Sequence, residues 1–540
     1  MPGITLYTSN RLETLAEKLA GILRRPGDPL AADIVVVQSR GMERWLSLAL
    51  ARLNGIAANG QFPFPNAFIE DIFKRQFGFE ADSNPFERNA LTFRILRLLP
   101  AMTRQDTAFG DLRAYLEGDV NGVKGFQLAA EIADLLDQYL IFRPGMLLDW
   151  EKRLPPEAGG PLAWQPKLWQ RLAGETPEPH RASLWKKLIE TKEGRLVPAD
   201  GLPKHVSLFG VSYLPAYYLQ ILQALASVMR IDIYQLTPCQ EYWADIVSDR
   251  EMARMRRGRP EDERPVDPGD LHLESGNRLL ASMGGHGREF HTLLADLDCL
   301  VEDLFEDVAP DTRLKAVQHD LLHLSDRSAG RPGERDRRPP AQGNGRDRSI
   351  QIHACHGPMR EIEVLRDQLL ALLDEHPEIE PRDILVMTPD IETYAPYIQA
   401  VFGAPGDERL YLPFTIADRC LESASPLVNA FHHLLDLRAA RFTRSHVLTL
   451  LEFEPLRTRF GFDAADMAAI TEMIDRVGVR WGLDGTEKAR WDLPVDDANT
   501  WRQGLDRLAL GYALTGEPDR LFQHLLPDDG VQGSQADLIG

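Results

Sequence analysis

The sequence lacks the closely spaced cysteine pairs from which disulfide frameworks and zinc ribbons are built. Its four cysteines, Cys239, Cys299, Cys355 and Cys420, lie far apart and form no Cys-x-x-Cys pair. Such usage is typical of a reducing compartment, so we expect a cytoplasmic protein. The sequence also lacks an apolar run as long as a membrane span, and residues 1–4 lead into an apolar run rather than a signal peptide. No membrane partner is therefore expected.

Positive charge is scarce as well. The formal net charge is −20, which argues against a free-standing nucleic-acid-binding protein because phosphate contacts need a basic surface. It does not exclude a basic channel inside an acidic body. With 540 residues, 44% of them hydrophobic and 26% charged, the chain has the length and composition of two to four globular domains.

Short apolar runs followed by helical patterns predict an α/β fold with parallel strands covered by helices. These runs span residues 4–7, 33–39, 206–211, 230–236, 350–355 and 383–388. Amphipathic helical patterns alone fill about 66–200, which predicts a helical insertion in the first unit, residues 1–325.

Residues 326–349, rich in Arg, Gly and Pro, predict a flexible linker, although their arginines could also contact nucleic acid. A second α/β unit, 350–540, passes at about residue 424 into further helices.

The turn after the first apolar run lacks the glycines and the lysine of a phosphate loop. It reads Thr8-Ser9-Asn10-Arg11. It is either an ordinary strand-to-helix turn capped by Ser9 or Asn10, or the turn of a nucleotide fold that has lost its nucleotide. The run 206–211 is likewise followed by no carboxylate that could hold magnesium, so we expect no ATP hydrolysis and no cofactor in this chain.

Three short groups of metal-capable or nuclease-like residues do not predict a catalytic site, because two lack further ligands and the third has its two side chains on different sides of a helix. They are Glu190 with Lys192; His353, Cys355 and His356; and His432 with His433.

The segment VVVQSRGMERWL is a candidate contact for phosphates or bases. It places Gln38, Ser39 and Arg40 on a strand-to-helix turn, with Arg44 one helical turn further on. Amide donors at a helix N-terminus together with two arginines suit an anion. A helix cap with solvated arginines explains the same residues equally well.

The segment ADLLDQYLIFRP is the second candidate. Asp134 and Asp137 lie one turn apart on one helix face, and Arg143 follows at the helix end. Paired carboxylates could hold a metal, but an exposed helix face is the commoner explanation.

Seven long motifs along the chain resemble one family in order and spacing: LYTSNRLETL, VVVQSRGMERWL, GIAANGQFPFPNAFI, ADLLDQYLIFRP, HACHGPMREIEVL, YLPFTIADR and GVRWGLD. The sequence is similar to the RecC family, the gamma subunits of exodeoxyribonuclease V, over its whole length. The resemblance implies helicase-like parallel-sheet domains with large helical insertions, a degenerate ATP site at TSNRLETL and no catalytic site in this chain. It also implies that the 540 residues are the N-terminal half of a longer protein.

The resemblance further implies partners and a site. A RecC-type subunit holds RecB-like and RecD-like subunits together, with ATP and magnesium on those subunits. It helps to split the ends of double-stranded DNA and recognises the Chi sequence in the 3′-ended single strand. The positions that match the family's Chi-reading pattern are Gln38, Asp134, Leu135, Asp137, Arg143 and Arg181.

Four neighbouring positions depart from the best-known pattern, which has a hydroxyl, an amide, a leucine and a tryptophan there. They are Arg40, Arg44, Phe64 and Glu70. Added charges in a recognition channel change which base edges are accepted, so we expect a different Chi octamer or weaker reading.

Three functions follow as hypotheses from the sequence. The first is a non-catalytic DNA-recognition and scaffold subunit. The second is an active helicase–nuclease subunit of the AddB type, which needs a phosphate loop that residues 6–14 do not provide. The third is a structural adaptor without DNA contact, which suits the charge of −20.

Overall fold

The computed structural model describes the chain except for residues 1, 25–31, 80–83, 120, 154–159, 191–200, 249, 252–275, 327–346, 404–409, 420–424, 515–519, 531–537, 539 and 540. The chain divides into two compact units, Met1–Gln351 and Ile352–Gly540. Most of the linker predicted at 326–349 lies outside the described residues.

The first unit is built on a parallel sheet that, in the described part of the chain, has six strands in the order β3-β2-β4-β5-β1-β6. The strands are β1 (Gly3–Ser9), β2 (Asp33–Val36), β3 (Gly60–Gln61), β4 (His205–Phe209), β5 (Arg230–Leu236) and β6 (Leu300–Asp303). Strand β1 lies between β5 and β6, with Gly3 opposite Arg230 and Thr5 opposite Leu300. The strands predicted at 4–7, 33–39, 206–211 and 230–236 are thereby confirmed.

Helices of the first unit cover both faces of this sheet and form an insertion between β3 and β4. They are α1 (Leu12–Leu23), α2 (Arg40–Asn54), α3 (Pro65–Phe77), α4 (Arg88–Gln105), α5 (Gly110–Leu116), α6 (Val123–Phe142), α7 (Pro144–Lys152), α8 (Trp164–Gly174), α9 (Arg181–Glu190), α10 (Ala216–Leu225), α11 (Arg278–Met283), α12 (Gly285–Ala295) and α13 (Arg313–Leu322). The helical patterns at 66–77, 126–142 and 181–190 are confirmed as α3, the greater part of α6, and α9.

Two separate cores lie on the two faces of the sheet. Ile4 and Leu6 of β1 pack on one face with residues of α3 and α10, whereas Tyr7 packs on the other face against α1. Burial on both faces explains why the central strands read as continuous apolar runs. The insertion has a hydrophobic core of its own around the fully buried Trp169. Helices α4, α6, α8 and α9 pack around this core.

The second unit is helical wherever the structure describes it as regular, apart from short 3-10 stretches and an isolated bridge. Its helices are α14 (Pro358–Glu375), α15 (Ile391–Phe402), α16 (Pro426–Asp436), α17 (Arg444–Glu452), α18 (Glu454–Phe460), α19 (Ala464–Arg476), α20 (Gly485–Ala489) and α21 (Trp501–Ala513). The longer helices predicted after residue 424 are confirmed.

The strands predicted at 350–355 and 383–388 are wrong for the structure as described. Both segments carry no strand pairing, and the side chains of Ile352, Leu385 and Met387 are each more than 80% exposed. An apolar run favours an extended backbone, but a strand also needs a hydrogen-bonded neighbour, which none of the described residues supplies here.

No helix within the described residues has both the length and the apolar character needed to cross a membrane.

Candidate functional site

The turn after β1 is held by the loop that follows β6 in the adjacent position of the sheet. Asn10 donates from Nδ2 to the Glu306 carbonyl at 2.8 Å and accepts the Glu306 amide at 2.9 Å. The Glu306 carboxylate pairs with Arg11 at 3.3 Å and accepts the Thr14 hydroxyl. The side chains that open α1 are therefore bonded to the protein's own loop.

The same turn carries negative charge where a nucleotide would place phosphates. Asp303 accepts the Thr8 hydroxyl, and Glu306 lies against the first turn of α1. Carboxylates at this position repel phosphate. The N-cap of α1, predicted to be Ser9 or Asn10, is Arg11, whose side chain makes no capping hydrogen bond. Ser9 Oγ accepts the Arg11 amide at 3.0 Å and stabilises the turn.

Gln38 joins the ends of two neighbouring strands. It lies just after β2, and its Nε2 donates to the Tyr213 carbonyl at 2.8 Å. Its Oε1 accepts both the amide and the hydroxyl of Ser212, each at 3.0 Å. The side chain that the sequence suggested as a base reader is thus bonded to the loop after β4, with one N–H of its amide left over.

Arg40 and Phe64 are brought together at the start of α2. The Arg40 guanidinium lies 5.4 Å from the centre of the Phe64 ring and pairs with Glu43 at 2.7 Å. The contact depends on a backbone bond from the Val37 amide to the Pro63 carbonyl at 3.1 Å, which carries the chain alongside β2. Phe64 is 39% exposed and the Arg40 side chain 79%, so their contact forms an aromatic and cationic surface open to solvent.

Ser39 and Arg44 have different environments on the same helix. Ser39 is the N-cap of α2 and its Oγ accepts the Met42 amide at 3.1 Å, which agrees with the helix-cap explanation. Arg44 is exposed and forms no ion pair with any described residue. Four residues separate Arg40 from Arg44, so the two guanidinium groups project from about the same helix face.

Arg181, the first residue of α9, connects three helices of the first unit. Its Nη1 pairs with Asp137 of α6 at 3.0 Å, and its Nη2 pairs with Glu70 of α3. Burial alone would lower the pKa of Arg181, but the carboxylates of Asp137 and Glu70 outweigh it and raise that pKa. Burial raises the pKa of Asp137 in spite of the adjacent guanidinium.

The other predicted residues of α6 do not join this cluster. Asp134 pairs with Arg88 at 3.2 Å and accepts Gln138 Nε2 at 2.9 Å. Leu135 is half-buried, and Arg143 is exposed at the end of α6 with no ion pair to any described residue. The metal explanation for Asp134 and Asp137 gains no third ligand among the described residues.

Helix α3 links the two groups of predicted residues. Phe64 is its N-cap and Glu70 lies within its second turn, about 9 Å further along the helix axis. The Arg40–Phe64 surface and the Arg181 cluster therefore lie within the reach of a few nucleotides of extended single strand.

Two tyrosines beside the Arg181 cluster were not predicted from the sequence. Tyr218 of α10 donates to Asn66 at the start of α3 and is nearly buried, and the pKa of Tyr218 is raised by burial to about 12. Burial also raises the pKa of Tyr217, whose hydroxyl is buried without a hydrogen-bond partner among the described residues. Consecutive aromatic residues at the start of a helix were the available signal, but it does not distinguish a core from a site.

The remaining short motifs form no metal-capable group of three among the described residues. Glu190 ends α9 and pairs with Lys186 at 3.3 Å, whereas Lys192 lies outside the described residues. His353 and His356 are exposed.

The parallel sheet, the large helical insertion and the acidic turn after β1 define a helicase-like α/β protein. Comparison of the sequence with protein families is more specific. The model described as RecC, N-terminal domain, matches residues 4–324, and the model described as RecBCD enzyme subunit RecC fourth domain matches residues 424–540. The chain belongs to the RecC family.

Curated relatives agree with this assignment. The RecBCD enzyme subunit RecC of Escherichia coli is 39% identical over 99% of this chain and 50% of its own length. The proteins with the same name from Haemophilus influenzae and Mycolicibacterium smegmatis are 32% and 34% identical over 99% of the chain, which covers 51% and 48% of them. The chain thus spans about half the length of the curated relatives that it matches.

Proposed function

We propose that this chain acts as a non-catalytic DNA-binding and scaffold subunit of a RecBCD-type helicase–nuclease. It would serve double-strand break repair and homologous recombination in the cytoplasm, assembled with RecB-like and RecD-like subunits. Those subunits would hold ATP and magnesium. The acidic turn after β1 supports this division of labour, because Glu306 lies where a phosphate would need donors.

The single observation that carries the DNA-binding role is the exposed Arg40–Phe64 surface. Proteins that hold single strands combine stacking on aromatic rings with cationic groups along the backbone. Phe64 offers the ring, Arg40 lies over its face at 5.4 Å, and Arg44 adds a charge one turn further along α2. Such a surface binds single-stranded DNA even on a chain whose net charge is −20, since the contact is local.

The Arg181 cluster supports a role in reading Chi in the 3′-ended strand. Asp137 offers carboxylate oxygens that can accept from exocyclic amines, and Arg181 offers donors for guanine edges. Both groups are partly exposed, with 29% and 23% of their side chains accessible. In the same proposal Asp134 and Leu135 lie before Asp137 on α6 and Arg143 lies after it at the helix end, so they flank this cluster along the helix.

The domain organisation belongs to this proposal. Residues 1–325 form the first helicase-like domain with its insertion at about 66–200, and 326–349 link it to an incomplete second domain, 350–540. The insertion of the second domain would begin at about residue 424.

Two other functions are weaker. An AddB-like motor would need phosphate donors at the start of α1, where Glu306 is bonded instead. An adaptor without DNA contact would not use the exposed Phe64, Arg40 and Arg44 as a stacking and cationic surface for a single strand.

The test is single-strand affinity as a function of salt, measured by fluorescence anisotropy on the 540-residue chain. We expect the double variant Arg40→Gln/Arg44→Gln to lower the slope of log affinity against log salt by about 1.4, since each phosphate contact contributes about 0.7. Phe64→Ala should cost about 1–3 kcal/mol through lost stacking and leave the slope nearly unchanged.

The matched control is Arg52→Gln on the same helix. Arg52 is exposed, forms no ion pair with any described residue and lies about 18 Å from Arg40 along the axis. It should bind as the unchanged chain does. Equal losses in Arg52→Gln and Arg40→Gln/Arg44→Gln would mean that binding is diffuse and that the proposed surface is not the site.

A further inference from the structure

Three metal-capable side chains converge where α13 ends beside the loop after β6. Asp307 Oδ1 lies 3.0 Å from His323 Nε2 and 3.6 Å from His319 Nδ1, and one ligand atom of each residue lies within 4.8 Å of the others. The two imidazole rings stand one helical turn apart, with 4.4 Å between their centres. Among the described residues, no other group of three such side chains comes this close together.

The spacing of these atoms suits a tetrahedral ion. Ligands about 2.0–2.1 Å from a tetrahedral zinc ion lie about 3.3–3.4 Å from one another. The two distances from Asp307 to the histidines bracket this value. Small side-chain rotations at a partly exposed site would bring the imidazoles to the same spacing.

We propose that Asp307, His319 and His323 bind a single divalent transition-metal ion of the zinc, nickel or copper class. Two imidazoles and one carboxylate form a borderline donor set that suits these ions rather than calcium or magnesium, which prefer oxygen alone. Three protein ligands leave one coordination position for water.

The backbone holds the two histidines rigidly. Thr312 is the N-cap of helix α13, and its hydroxyl accepts the Lys315 amide at 3.2 Å. It ends at the buried Leu322, whose carbonyl accepts the Gln240 amide at 3.1 Å. The histidines lie at the carbonyl end of this helix, where the helix dipole favours a cation.

Gln240 provides the outer contact that a metal-bound imidazole needs. Its Nε2 lies 3.0 Å from His323 Nδ1. With Nε2 of His323 bound to a metal, Nδ1 carries the proton, and the Gln240 amide turns its oxygen to accept it. Gln240 follows β5 whereas Asp307 follows β6, so an ion would fasten two loops at the carboxyl edge of the sheet.

A plain ion pair explains these contacts less completely. Asp307 Oδ1 already accepts the Val308 amide at 2.9 Å as well as His323. His319 Nδ1 is buried, yet has no hydrogen-bond partner among the described residues, because 3.6 Å is too long for one. A metal ion would satisfy this nitrogen, and the ion pair leaves it unsatisfied.

The test is titration of the tag-free 540-residue chain with Zn²⁺ and Ni²⁺ by isothermal calorimetry. We expect about one equivalent bound per chain, with affinity reduced at least about tenfold in His319→Ala/His323→Ala. The control is His353→Ala/His356→Ala, which removes the same number of histidines at two exposed positions and should bind as before.

Each outcome decides the question. If the histidine pair unfolds when replaced, Asp307→Asn gives a variant of nearly identical shape at an exposed position and should show the same loss. Absence of saturable binding, or equal affinity in Asp307→Asn and the unchanged chain, refutes the site. Loss of binding in His353→Ala/His356→Ala alone would move the site to the other histidines and refute it equally.

Discussion

Replacing Arg181 by methionine tests whether its ion pairs hold the helical insertion against the sheet. Methionine keeps most of the length of the side chain but leaves the carboxylates of Asp137 and Glu70 facing each other without a cation. Loss of one partner from a buried pair costs about 3–5 kcal/mol, and from a surface pair about 0–1 kcal/mol.

The structure sets the magnitude between these limits. The three side chains are 23–29% exposed, so the cost should approach three-quarters of the buried value, about 2–4 kcal/mol. The first unit, Met1–Gln351, has an entropy of unfolding of about 0.7 kcal/mol/K at the usual value per residue. The melting temperature should therefore fall by about 3–5 °C.

The loss should also depend on pH. Burial raises the pKa of Asp137 in the folded chain, so the folded state holds this proton more tightly, and stability falls as pH rises through that pKa. Without Arg181 the pKa of Asp137 rises further. We expect the free-energy difference between Arg181→Met and the unchanged chain to be larger at about pH 8 than at about pH 5.

Scanning calorimetry on three variants separates this reasoning from a general loss of packing. Asp137→Asn leaves Arg181 paired with Glu70 and should cost less than Arg181→Met. Arg97→Met removes a guanidinium that is 69% exposed and pairs with Glu175 at 2.8 Å, and should cost at most about 1 kcal/mol. Equal melting temperatures for Arg181→Met and Arg97→Met would refute the argument.

Two further predictions concern the tyrosines beside this cluster and two residues that match the Chi-reading pattern. Tyr217→Phe removes a buried hydroxyl that has no partner among the described residues, so the free energy of unfolding should stay the same or rise slightly. Tyr218→Phe loses the hydrogen bond to Asn66 and should lower the free energy of unfolding by about 1 kcal/mol. A greater cost for Tyr217→Phe than for Tyr218→Phe in chemical denaturation would contradict this reasoning. In a complete complex, Gln38→Ala and Asp137→Ala should leave the unwinding rate near normal but weaken the response to Chi. Equal loss of unwinding in both would assign them a structural role. Gln38 is already hydrogen-bonded to the loop after β4, so the experiment distinguishes a structural role of this side chain from a role in reading Chi.

The central strands could be predicted from the sequence because both faces of the sheet are covered. Strands β1, β4 and β5 are buried and therefore read as apolar runs. Strand β6, Leu300–Asp303, was missed since it lies at the edge and ends in two acids, and β3 has only two residues. The runs at 350–355 and 383–388 show the opposite error, because pairing depends on distant parts of a chain and not on the run itself.

The candidate site was predictable as residue types but not as contacts. The sequence predicted Arg40 at the start of a helix, but not its contact with the ring of Phe64, 24 positions later. The backbone hydrogen bond from Val37 to Pro63 brings that ring to Arg40. The pairing of Arg181 with Asp137 joins α9 to α6 across 44 residues. His319 and His323 were missed because a four-residue spacing indicates a shared face only once the segment is known to be helical.

The loop after β6 explains how a helicase-like sheet can be stable without a ligand at its central turn. In nucleotide-binding folds the start of the helix after β1 is completed by phosphate, and its geometry changes when the nucleotide leaves. Here Asn10 and Arg11 are bonded to Glu306, and Leu304 donates its amide to the Thr8 carbonyl at 2.8 Å. These contacts come from the chain itself, so they do not depend on a bound nucleotide. A turn fixed in this way is consistent with a helicase-like domain whose ATP site is degenerate.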